Sequence, residues 1–459
     1  MSTATTLARD LAAIVGNDAV LAEPPIEYLE DATAGHGVRG HADAVVLPSS
    51  TDEACRVLAW CYGHDVPLVP RGGGTGYAGG AVPFGGVVCS LERLKAVREL
   101  EPLLWRVSLE AGVTTWELQR LARSNGLMFA PDPGAGEQSQ IGGNISTNAG
   151  GPHAFKYGVV GQWVTGLEVV IPPGEVLPLG GAVRKDVAGY DLKSLVVGSE
   201  GTLGIVTAAT LRLLPAPERV LPIAAFYSGV GEGCAAIETV IGTGLQVAAL
   251  EYMEGTALGV NSVTFPVAAP EGAGFLVIAE ADGAADEAER LRDELLEVLG
   301  EKALAVHGPH VQAEIDALWR WRDGVRAVTA VQGQEISTDV AVPVERLAES
   351  IEISLEVGAR HGIEVCSWGH AGDGNLHTTY LYTLDGPGTG NAAHAAVDEF
   401  YEHVLAVGGT LAAEHGVGAL KLAHLSEQFT PRRLELQEQI KRAFDPKGLL
   451  NPGKKLPPA

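Results

Sequence analysis

Cysteine is scarce in this chain, and basic residues are outnumbered by acidic ones. The five cysteines among the 459 residues are Cys55, Cys61, Cys89, Cys234 and Cys366. No two of them form a C-x-x-C pair, which argues against an iron–sulfur cluster or a zinc knuckle and is typical of buried thiols in a reducing cytoplasm. The 32 Lys and Arg residues face 57 Asp and Glu residues, for a net charge of −25. Because nucleic-acid backbones require a basic face, we expect no nucleic-acid partner.

Long hydrophobic runs are missing as well. No uncharged apolar segment approaches the roughly 18 to 20 residues that a membrane helix needs. Residues 1–11 lack the basic flank and the apolar run of a signal peptide. Hydrophobic residues make up 46% and charged residues 19% of the chain, which is typical of a globular enzyme of two or three domains. We therefore expect a cytoplasmic location. Peripheral attachment at the inner face of the membrane is compatible with it.

A glycine-rich loop after the predicted strand 66–69 is the most informative stretch. Its residues are Pro70, Arg71, Gly72, Gly73, Gly74, Thr75 and Gly76. Glycines leave backbone N–H groups bare to converge on an anion, and Thr75 adds a hydroxyl, so the loop predicts a phosphate cradle. A flexible surface turn is the alternative interpretation. The pattern G-x-G-x-x-G occurs at positions 74–79, but residues 80–86 cannot begin the helix that a nicotinamide-binding Rossmann unit requires.

A second segment, residues 131–161, is unusually rich in glycine, asparagine, serine and threonine. It is too long for an ordinary connection, and it predicts a second backbone surface for a polar ligand. Residues 215–218 have the composition of a linker, and beyond them strands alternate with longer helices, as in an α+β domain. The predicted divisions are an N-terminal helical segment 1–42, a first domain 43–217, a second domain 218–430, and a C-terminal helix and tail 431–459.

Two glycine-framed turns of the second half carry histidines. His370 and His377 flank a glycine turn that joins the end of one predicted strand to the start of another, so their imidazoles can meet at one point. Glu414 and His415 follow in a second glycine turn. Two histidines with Glu414 as the third ligand form a common set for a divalent metal with open positions. Unrelated loop histidines are the alternative, and Asp373 is either a further ligand or a residue that orders its turn.

A metal next to a neutral histidine indicates chemistry on a hydroxyl group. The metal lowers the pKa of a bound hydroxyl, and His415 would take its proton as a general base. Arg322 is a candidate to hold a substrate carboxylate through two hydrogen bonds, with a surface ion pair as the alternative. None of these groups accepts a hydride, so the glycine-rich first half must supply the acceptor.

Over residues 43–454 the chain resembles known flavoproteins. The first domain resembles the FAD-binding domain of the vanillyl-alcohol oxidase/PCMH superfamily, and the stretches that carry this resemblance are 70–76, 141–151, 156–158, 185–192 and 197–205. The second domain is similar to the FAD-linked oxidase C-terminal domain of D-2-hydroxyacid dehydrogenases, the group of the glycolate oxidase catalytic subunit, D-lactate dehydrogenase and D-2-hydroxyglutarate dehydrogenase. Its marks are residues 369–377, 414–418 and 444–454. The resemblance implies an α+β fold, in which a PCMH-type FAD-binding domain of two α/β subdomains is joined by a ferredoxin-like α+β cap and a C-terminal helical segment.

The resemblance also implies where FAD binds. The first glycine loop would hold the pyrophosphate, and the residues expected near the flavin or the phosphates are Asp132, Gly142, Asn144, Thr147 and Asn148. The residues expected on the adenine or ribose side are Glu200, Gly201, Gly204 and Ile205, with Asn451 approaching from the tail. Covalent members link a histidine near the first loop to the flavin. No histidine lies between Arg71 and Gly86, so we expect non-covalent FAD, with His153 as the nearest later candidate.

For the second domain, the resemblance implies residue roles. In the D-2-hydroxyglutarate enzymes, the residues that match His370, His377 and Glu414 bind zinc, and the residue that matches His415 acts as the base. The residue that matches Arg322 binds the substrate carboxylate.

Two departures from that group concern the substrate. Ser337 or Thr338 stands where those enzymes have a lysine for the distal carboxylate, and Thr379 stands where they have a substrate-contacting asparagine. Arg326, one helical turn after Arg322, is a candidate to compensate. Because an unpaired buried charge is costly, a smaller or more apolar acid such as lactate or glycolate fits at least as well as a dicarboxylate.

The sequence thus predicts an FAD- and metal-dependent enzyme, with zinc or manganese, that oxidises a D-2-hydroxy acid of the lactate, glycolate or 2-hydroxyglutarate class by hydride transfer to flavin N5. Its reduced flavin needs an acceptor, which would be an electron-transfer flavoprotein, a quinone or an iron–sulfur subunit, and a homodimer is compatible with this reading. One alternative is an oxygen-using oxidase of the same fold. Another is a non-catalytic FAD-binding companion subunit of a glycolate oxidase-like complex, although such a subunit should lack the metal and base residues.

Overall fold

The computed structural model describes residues 3–260, 265–329, 334–382 and 389–457. The chain forms two compact units, each assembled from separate segments. Unit 1 comprises Met1–Gly150, Gly158–Ala216 and Glu414–Ala459, and unit 2 comprises Gly151–Tyr157 and Pro217–Ala413. The predicted domain limits stay predictions.

The helices and strands alternate along the chain. The helices are α1 (Thr3–Val15), α2 (Thr51–Gly63), α3 (Thr115–Arg123), α4 (Ile141–Thr147), α5 (Ala154–Tyr157), α6 (Leu192–Val196), α7 (Val230–Gly242), α8 (Gly255–Val260), α9 (Ala285–Gly300), α10 (Gln312–Thr329), α11 (Leu347–His361), α12 (Thr389–Ala406), α13 (Leu425–Gln428) and α14 (Pro431–Phe444). The strands are β1 (Val20–Leu21), β2 (Ala44–Val46), β3 (Leu68–Arg71), β4 (Val87–Ser90), β5 (Val97–Glu101), β6 (Arg106–Glu110), β7 (Leu127–Met128), β8 (Val164–Ile171), β9 (Glu175–Gly180), β10 (Ile205–Arg212), β11 (Leu214–Pro215), β12 (Arg219–Tyr227), β13 (Ala249–Glu254), β14 (Phe275–Gly283), β15 (Ala305–His307), β16 (Gln334–Ala341), β17 (Glu364–His370) and β18 (Asn375–Tyr382).

Unit 1 contains two main sheets. The first has the strand order β1-β2-β4-β3, in which β4 is parallel to both β2 and β3. The second has the order β5-β6-β10-β8-β9 and is antiparallel throughout. Buried side chains of α1 and α2 pack with β2 and β4, and Leu450 of the tail joins the same core. This core fixes β3, and so the point at which the glycine loop begins.

Local chemistry explains the helix starts of unit 1. Thr114 forms a capping box with Glu117 at the start of α3, so both side chains satisfy backbone N–H groups there. The cap of α2 is Ser50, because its hydroxyl accepts from the N–H of Glu53. Residues 80–86 contain no helix, as predicted. The short helix α4 was not predicted, because its glycines have low helix propensity.

Unit 2 is built on one antiparallel sheet in the order β15-β12-β14-β13-β17-β18-β16. Residues opposite each other in neighbouring antiparallel strands project to the same face, so the register divides the sheet into two faces. One face packs against α7, α9, α11 and α12 in a large apolar core. The other face carries Met253, Cys366 and Trp368 and packs against Leu318, Trp321 and Val325 of α10. We call this second face the α10 face.

The elements of unit 2 agree with the predicted strand–helix alternation. The long helix α10 covers Gln312–Thr329. The histidine turn joins β17 to β18, as expected from its glycines. The five cysteines are all buried free thiols. None of the helices in the described part of the chain combines the length and the hydropathy that crossing a bilayer requires.

Candidate active-site residues

The first glycine loop of unit 1 is a close-packed turn that excludes side chains. A Cβ atom on Gly73 would collide with the carbonyl oxygen of Gln138, and one on Gly74 would collide with the guanidinium of Arg71. Gly74 also has a φ of +67°, in the left-handed region that favours glycine. The Arg71 guanidinium donates to the carbonyls of Glu27 and Ala81, which ties it beneath the loop. The loop is therefore a built structure and not a flexible turn.

A cavity of ≈ 360 Å³ opens beside this loop. Its lining includes Asp31, Arg71, Gly73, Gly74 and Thr75. Such a bare glycine backbone beside a cavity fits a phosphate group, because its N–H groups can face an anion without a side chain intervening. The loop therefore has the bare backbone that the phosphates of FAD need, and the cavity lining also includes the acidic residues Glu27, Glu30 and Asp31.

Lys454 in the C-terminal tail adds a cation that the sequence did not single out. Within the described residues its ammonium has no hydrogen-bond partner, although the residue is 3% exposed. Burial lowers the pKa of Lys454 to about 8, against the opposing influence of Asp31 and Glu200. A buried ammonium of this kind usually has a partner, so an anionic ligand in unit 1 would satisfy it.

The second glycine-rich segment forms α4 and lies against the first loop. A Cβ atom on Gly72 would lie 3.3 Å from Gly143 Cα, and one on Gly142 would lie 2.6 Å from Ala111 Cβ. The close approach of the two backbones supports the prediction that both segments serve one polar ligand. Asp132, upstream of α4, is half-buried.

The polar side chains of this segment have contacts within unit 1. Asn144 Nδ2 donates to Thr115 Oγ1 at 2.7 Å, and Thr147 Oγ1 donates to the Gly143 carbonyl at 3.2 Å. Asn148 has a φ of +56° and ends α4, and its Oδ1 accepts from the N–H of Gly161 at 2.8 Å. The side chains of Asn144, Thr147 and Asn148 stabilise α4 and its C-terminal turn. The backbone of this segment is therefore the part that can bind a ligand.

Glu200 is buried and organises a distant turn of unit 1. Its carboxylate accepts from the N–H groups of Val417 at 2.9 Å and Gly418 at 2.7 Å. Asn451 Nδ2 donates to the Glu200 carbonyl at 2.7 Å and to the Gly80 carbonyl at 2.9 Å. Glu200 and Asn451 thus link the tail to the turn that carries His415. The sequence predicted both residues near FAD but did not predict this structural role.

The neighbours of Glu200 are held for similar reasons. Gly201 has a φ of +72°, and a Cβ atom on Gly204 would collide with Val169 Cγ1. Ile205 begins β10 and is fully buried. Both glycines are therefore required by the fold of unit 1, whether or not they also contact FAD.

Glu414 and His415 belong to unit 1. His415 Nε2 lies 3.3 Å from Glu414 Oε1, and the His415 ring lies 4.9 Å from the Tyr77 ring. Gly416 follows with a φ of +82°, which the turn requires. The structure therefore places the predicted base beside the predicted ligand and beside the end of the first glycine loop.

The two predicted histidine ligands meet on the α10 face of unit 2. The register pairs His370 with Asn375 and Trp368 with His377, so both imidazoles project to the same face. Their ring centroids are 5.2 Å apart and both side chains are buried. Gly374 permits the tight turn between them, because its φ is +72° and a Cβ atom would collide with the Val342 carbonyl. Asp373 lies in that turn and is exposed.

A buried carboxylate that the sequence did not indicate joins this cluster. Glu251 on β13 pairs in register with His370, and its Oε1 lies 2.7 Å from His370 Nδ1. Its other oxygen accepts from Arg322 Nη2. Burial raises the pKa of Glu251, but Arg322 and His370 lower it, and the net direction is downward. The predicted substrate arginine and a predicted metal ligand therefore share one carboxylate.

A second missed carboxylate lies beside the other histidine. Asp339 on β16 pairs in register with His377, and its Oδ1 lies 3.7 Å from His377 Nδ1. Asn375 Nδ2 donates to the same oxygen at 3.0 Å. Only the strand register could have revealed Glu251 and Asp339, because neither lies in a recognisable motif.

Two residues at which the sequence departs from the D-2-hydroxyglutarate enzymes, Ser337 and Thr379, face each other. Ser337 Oγ and Thr379 Oγ1 are 2.8 Å apart on paired strands, and Thr379 is fully buried. Thr338 projects elsewhere and bonds the Thr378 carbonyl. The side chain of Arg326 lies outside the described residues.

The predicted resemblance is confirmed by comparison with known proteins. Residues 216–455 match the family of FAD linked oxidases, C-terminal domain, and residues 42–180 match the FAD binding domain family. The chain is 35% identical over 431 residues to glycolate oxidase subunit GlcD of Bacillus subtilis, covering 93% of this chain and 91% of that protein. It is 32% identical to D-lactate dehydrogenase of Anaerostipes hadrus (93% and 92%) and to mitochondrial D-2-hydroxyglutarate dehydrogenase of Rattus norvegicus (92% and 79%).

Solved structures confirm the fold. Substrate-bound p-cresol methylhydroxylase superposes with a TM-score of 0.81 at 17% identity, covering 98% of this chain and 96% of that one. The 4-ethylphenol oxidase of Gulosibacter chungangensis superposes with a TM-score of 0.75 at 20% identity, covering the same shares. The fold and the sequence together define an FAD-linked oxidoreductase with a PCMH-type FAD-binding fold. The chain belongs to the FAD-linked oxidase family.

Proposed function

We propose that this protein oxidises a D-2-hydroxy acid to the 2-oxo acid, using non-covalent FAD and a divalent metal, zinc or manganese. The observation that carries the proposal is the buried group on the α10 face, where two histidines and a carboxylate of the sheet meet an arginine of α10. The relatives' names support the substrate class, because they are enzymes of glycolate, D-lactate and D-2-hydroxyglutarate. His153, the nearest candidate for a covalent link, supports non-covalent FAD because its Nε2 is held by Glu280 within unit 2.

The protein groups have distinct tasks in this reaction. Arg322, whose guanidinium also pairs with Glu251, binds the substrate carboxylate. His370, His377 and Glu414 hold the metal, and an imidazole nitrogen of His415 takes the hydroxyl proton. When bound, the metal makes that hydroxyl more acidic and FAD supplies the hydride acceptor.

The substrate we propose is a small or apolar 2-hydroxy acid such as lactate or glycolate, with 2-hydroxyglutarate as the competing candidate. Ser337 and Thr379 offer two neutral hydroxyls that already bond each other. A distal carboxylate placed there would lack a charged partner among these two residues, which is costly in a buried site. We assign this preference to Thr379 and Arg326.

Reduced flavin must pass its electrons on. We propose that the acceptor is an electron-transfer flavoprotein, a quinone or an iron–sulfur subunit. We further propose a cytoplasmic homodimer, with peripheral attachment at the inner face of the membrane as the alternative location. An oxidase would instead reoxidise rapidly with oxygen alone. Anaerobic reduction followed by mixing with oxygen separates these two outcomes.

One experiment tests the proposal as a whole. Purified FAD-loaded protein is mixed anaerobically with D- and L-2-hydroxy acids, with and without a chelator, and flavin bleaching is followed. We expect bleaching by one D-acid and its loss with chelator. Bleaching by no acid would support the companion-subunit alternative. Bleaching that a chelator leaves unchanged would show that the reaction does not need a metal.

The base is tested by substitution. We expect His415→Ala to slow flavin reduction by about 10²–10⁴-fold while the yellow cofactor stays bound, since removal of a general base has effects of this size. His394→Ala is the control, because His394 is an exposed residue of α12. A His415→Ala variant that is reduced nearly as fast as the parent would exclude His415 as the base.

A further inference from the structure

Glu251 has two partners that belong to different parts of the proposed site. One oxygen lies 2.7 Å from His370 Nδ1 and the other accepts from Arg322 Nη2. The carboxylate is buried, with 1% of its side chain exposed. Because all three residues lie in unit 2, on β13, β17 and α10, their contacts are fixed by one sheet and the helix that covers it.

The contact with His370 decides which ring nitrogen can bind a metal. An ionised carboxylate can only accept, so the 2.7 Å contact assigns the hydrogen to Nδ1, and the Arg322 Nη2 donor lies farther from the same nitrogen, at 3.4 Å. In the neutral imidazole the other nitrogen, Nε2, then has the lone pair that a metal needs. Histidine ligands of metals are commonly oriented in this way by a carboxylate behind them.

The second histidine repeats the arrangement more loosely. Asp339 Oδ1 lies 3.7 Å from His377 Nδ1, and Asp339 is itself fixed by Asn375 at 3.0 Å. Each histidine of the pair thus has a buried carboxylate on the Nδ1 side, supplied by the strand next to it in the sheet. At 3.7 Å this second contact is longer than a hydrogen bond, so the inference depends on the contact of Glu251 with His370.

We propose that Glu251 is a positioning residue that sets the Nδ1–H tautomer of His370 for metal binding and, through the same carboxylate, fixes the orientation of Arg322. This inference deepens the proposed function and depends on it. It makes metal binding and substrate binding sensitive to one residue that contacts neither ligand.

Glu251→Gln is the decisive variant. Its amide oxygen can still accept from Arg322, but its NH₂ group cannot accept from His370, so the tautomer with hydrogen on Nε2 becomes favoured. We expect the zinc affinity of the metal-stripped, FAD-loaded protein to fall about 10- to 100-fold, the usual effect of losing such a partner. Glu254→Gln is the matched control, because Glu254 is a buried carboxylate of the same strand that bonds the N–H of Thr256.

Nuclear magnetic resonance of ¹⁵N-histidine-labelled protein gives a second measurement that a purely structural role would not affect. With His370→Ala used for assignment, we expect Nδ1–H in the parent protein and Nε2–H in Glu251→Gln. An Nε2–H signal for His370 in the unmutated protein overturns the inference even if the variant fails to fold. Unchanged zinc affinity in a folded Glu251→Gln also overturns it. If His370→Ala itself leaves zinc affinity unchanged, the proposed metal site fails first.

Discussion

A buried lysine of the tail shows how a single residue can be destabilising in one state of a protein. Lys454 lies 3.8 Å from the centroid of the Phe84 ring, and its ammonium has no hydrogen-bond partner within the described residues. The aromatic ring offsets only part of the cost of burial, since a cation over a ring contributes about 0.5–2 kcal/mol. The lowered pKa, about 8, records the remaining cost. Such a group costs stability in the FAD-free protein and is suited to binding an anionic ligand.

Lys454→Met is therefore expected to stabilise the FAD-free protein at pH 7 by about 1 to 2 kcal/mol, less than the full pKa shift because solvent screens part of the charge. The unfolded chain holds this proton up to about pH 10.4, whereas the folded chain loses it near pH 8. The penalty is thus complete below pH 8 and fades as the pH rises through this window. Urea unfolding at pH 7, 9 and 10 should show a shrinking difference between variant and parent.

The exposed Lys95 supplies the control for this measurement. Lys95→Met should change the unfolding free energy by no more than about 0.5 kcal/mol at any of these pH values. A Lys454→Met variant that is less stable than the parent at pH 7 would show that the ammonium has a stabilising partner.

Single residues also mark the limit of what the sequence reveals. His370, His377 and Glu414 were identified because each stands beside glycines in a short pattern. Glu251 was not, because it is 119 positions from His370 and only the pairing of β13 with β17 brings them together. Predicting it would have required the strand order and the register, which depend on contacts far apart in the chain.

At the scale of elements, the β17–β18 turn determines the geometry of the histidine pair. Its local glycine pattern was sufficient to predict it, because a turn with a left-handed residue is specified by neighbouring positions. The short helix α4 shows the opposite case. Its glycines give little helix propensity, and its formation depends on close packing against Ala111 and the first glycine loop.

Gly374→Ala should disrupt this turn without altering a ligand. The left-handed conformation costs about 1 kcal/mol for alanine, and the collision with the Val342 carbonyl adds to it, for a total of about 2–4 kcal/mol. Zinc affinity should fall as well, since the two imidazoles would be displaced. Unfolding in urea and zinc titration of the metal-stripped protein measure the two effects.

Gly362→Ala is the matched control, because Gly362 has a φ of +68° in the same unit but its Cβ would meet no atom within 4 Å. It should cost only the conformational term, about 1 kcal/mol, and leave zinc affinity unchanged. Equal losses for the two alanine variants would show that the collision at Gly374 is relieved at no cost.

At the scale of the whole molecule, three separate segments of the chain form unit 1, and each return to unit 1 is an entry of the chain into it. The last entry brings the turn with Val417 and Gly418 onto the carboxylate of Glu200, more than 200 positions earlier. The sequence identified both motifs separately, but their contact depends on the complete path of the chain. His415 therefore belongs with the glycine loops in unit 1, whereas His370 and His377 belong to the sheet of unit 2.

This division predicts separate ligand responses within one protein. Adding FAD to the FAD-free, metal-stripped protein should slow amide hydrogen exchange in residues 70–80 and 141–148, by up to about 100-fold at a ligand concentration of 100 times Kd. Adding Zn²⁺ should slow exchange in residues 369–377, because metal ligation stabilises the turn between β17 and β18. Peptides of α14, which carries none of the proposed ligands, should change little and serve as the internal control. Protection by FAD that is confined to unit 2, with the glycine loops unchanged, would contradict the assignment of the phosphate cradle, because a ligand must slow the opening of the segments that hold it.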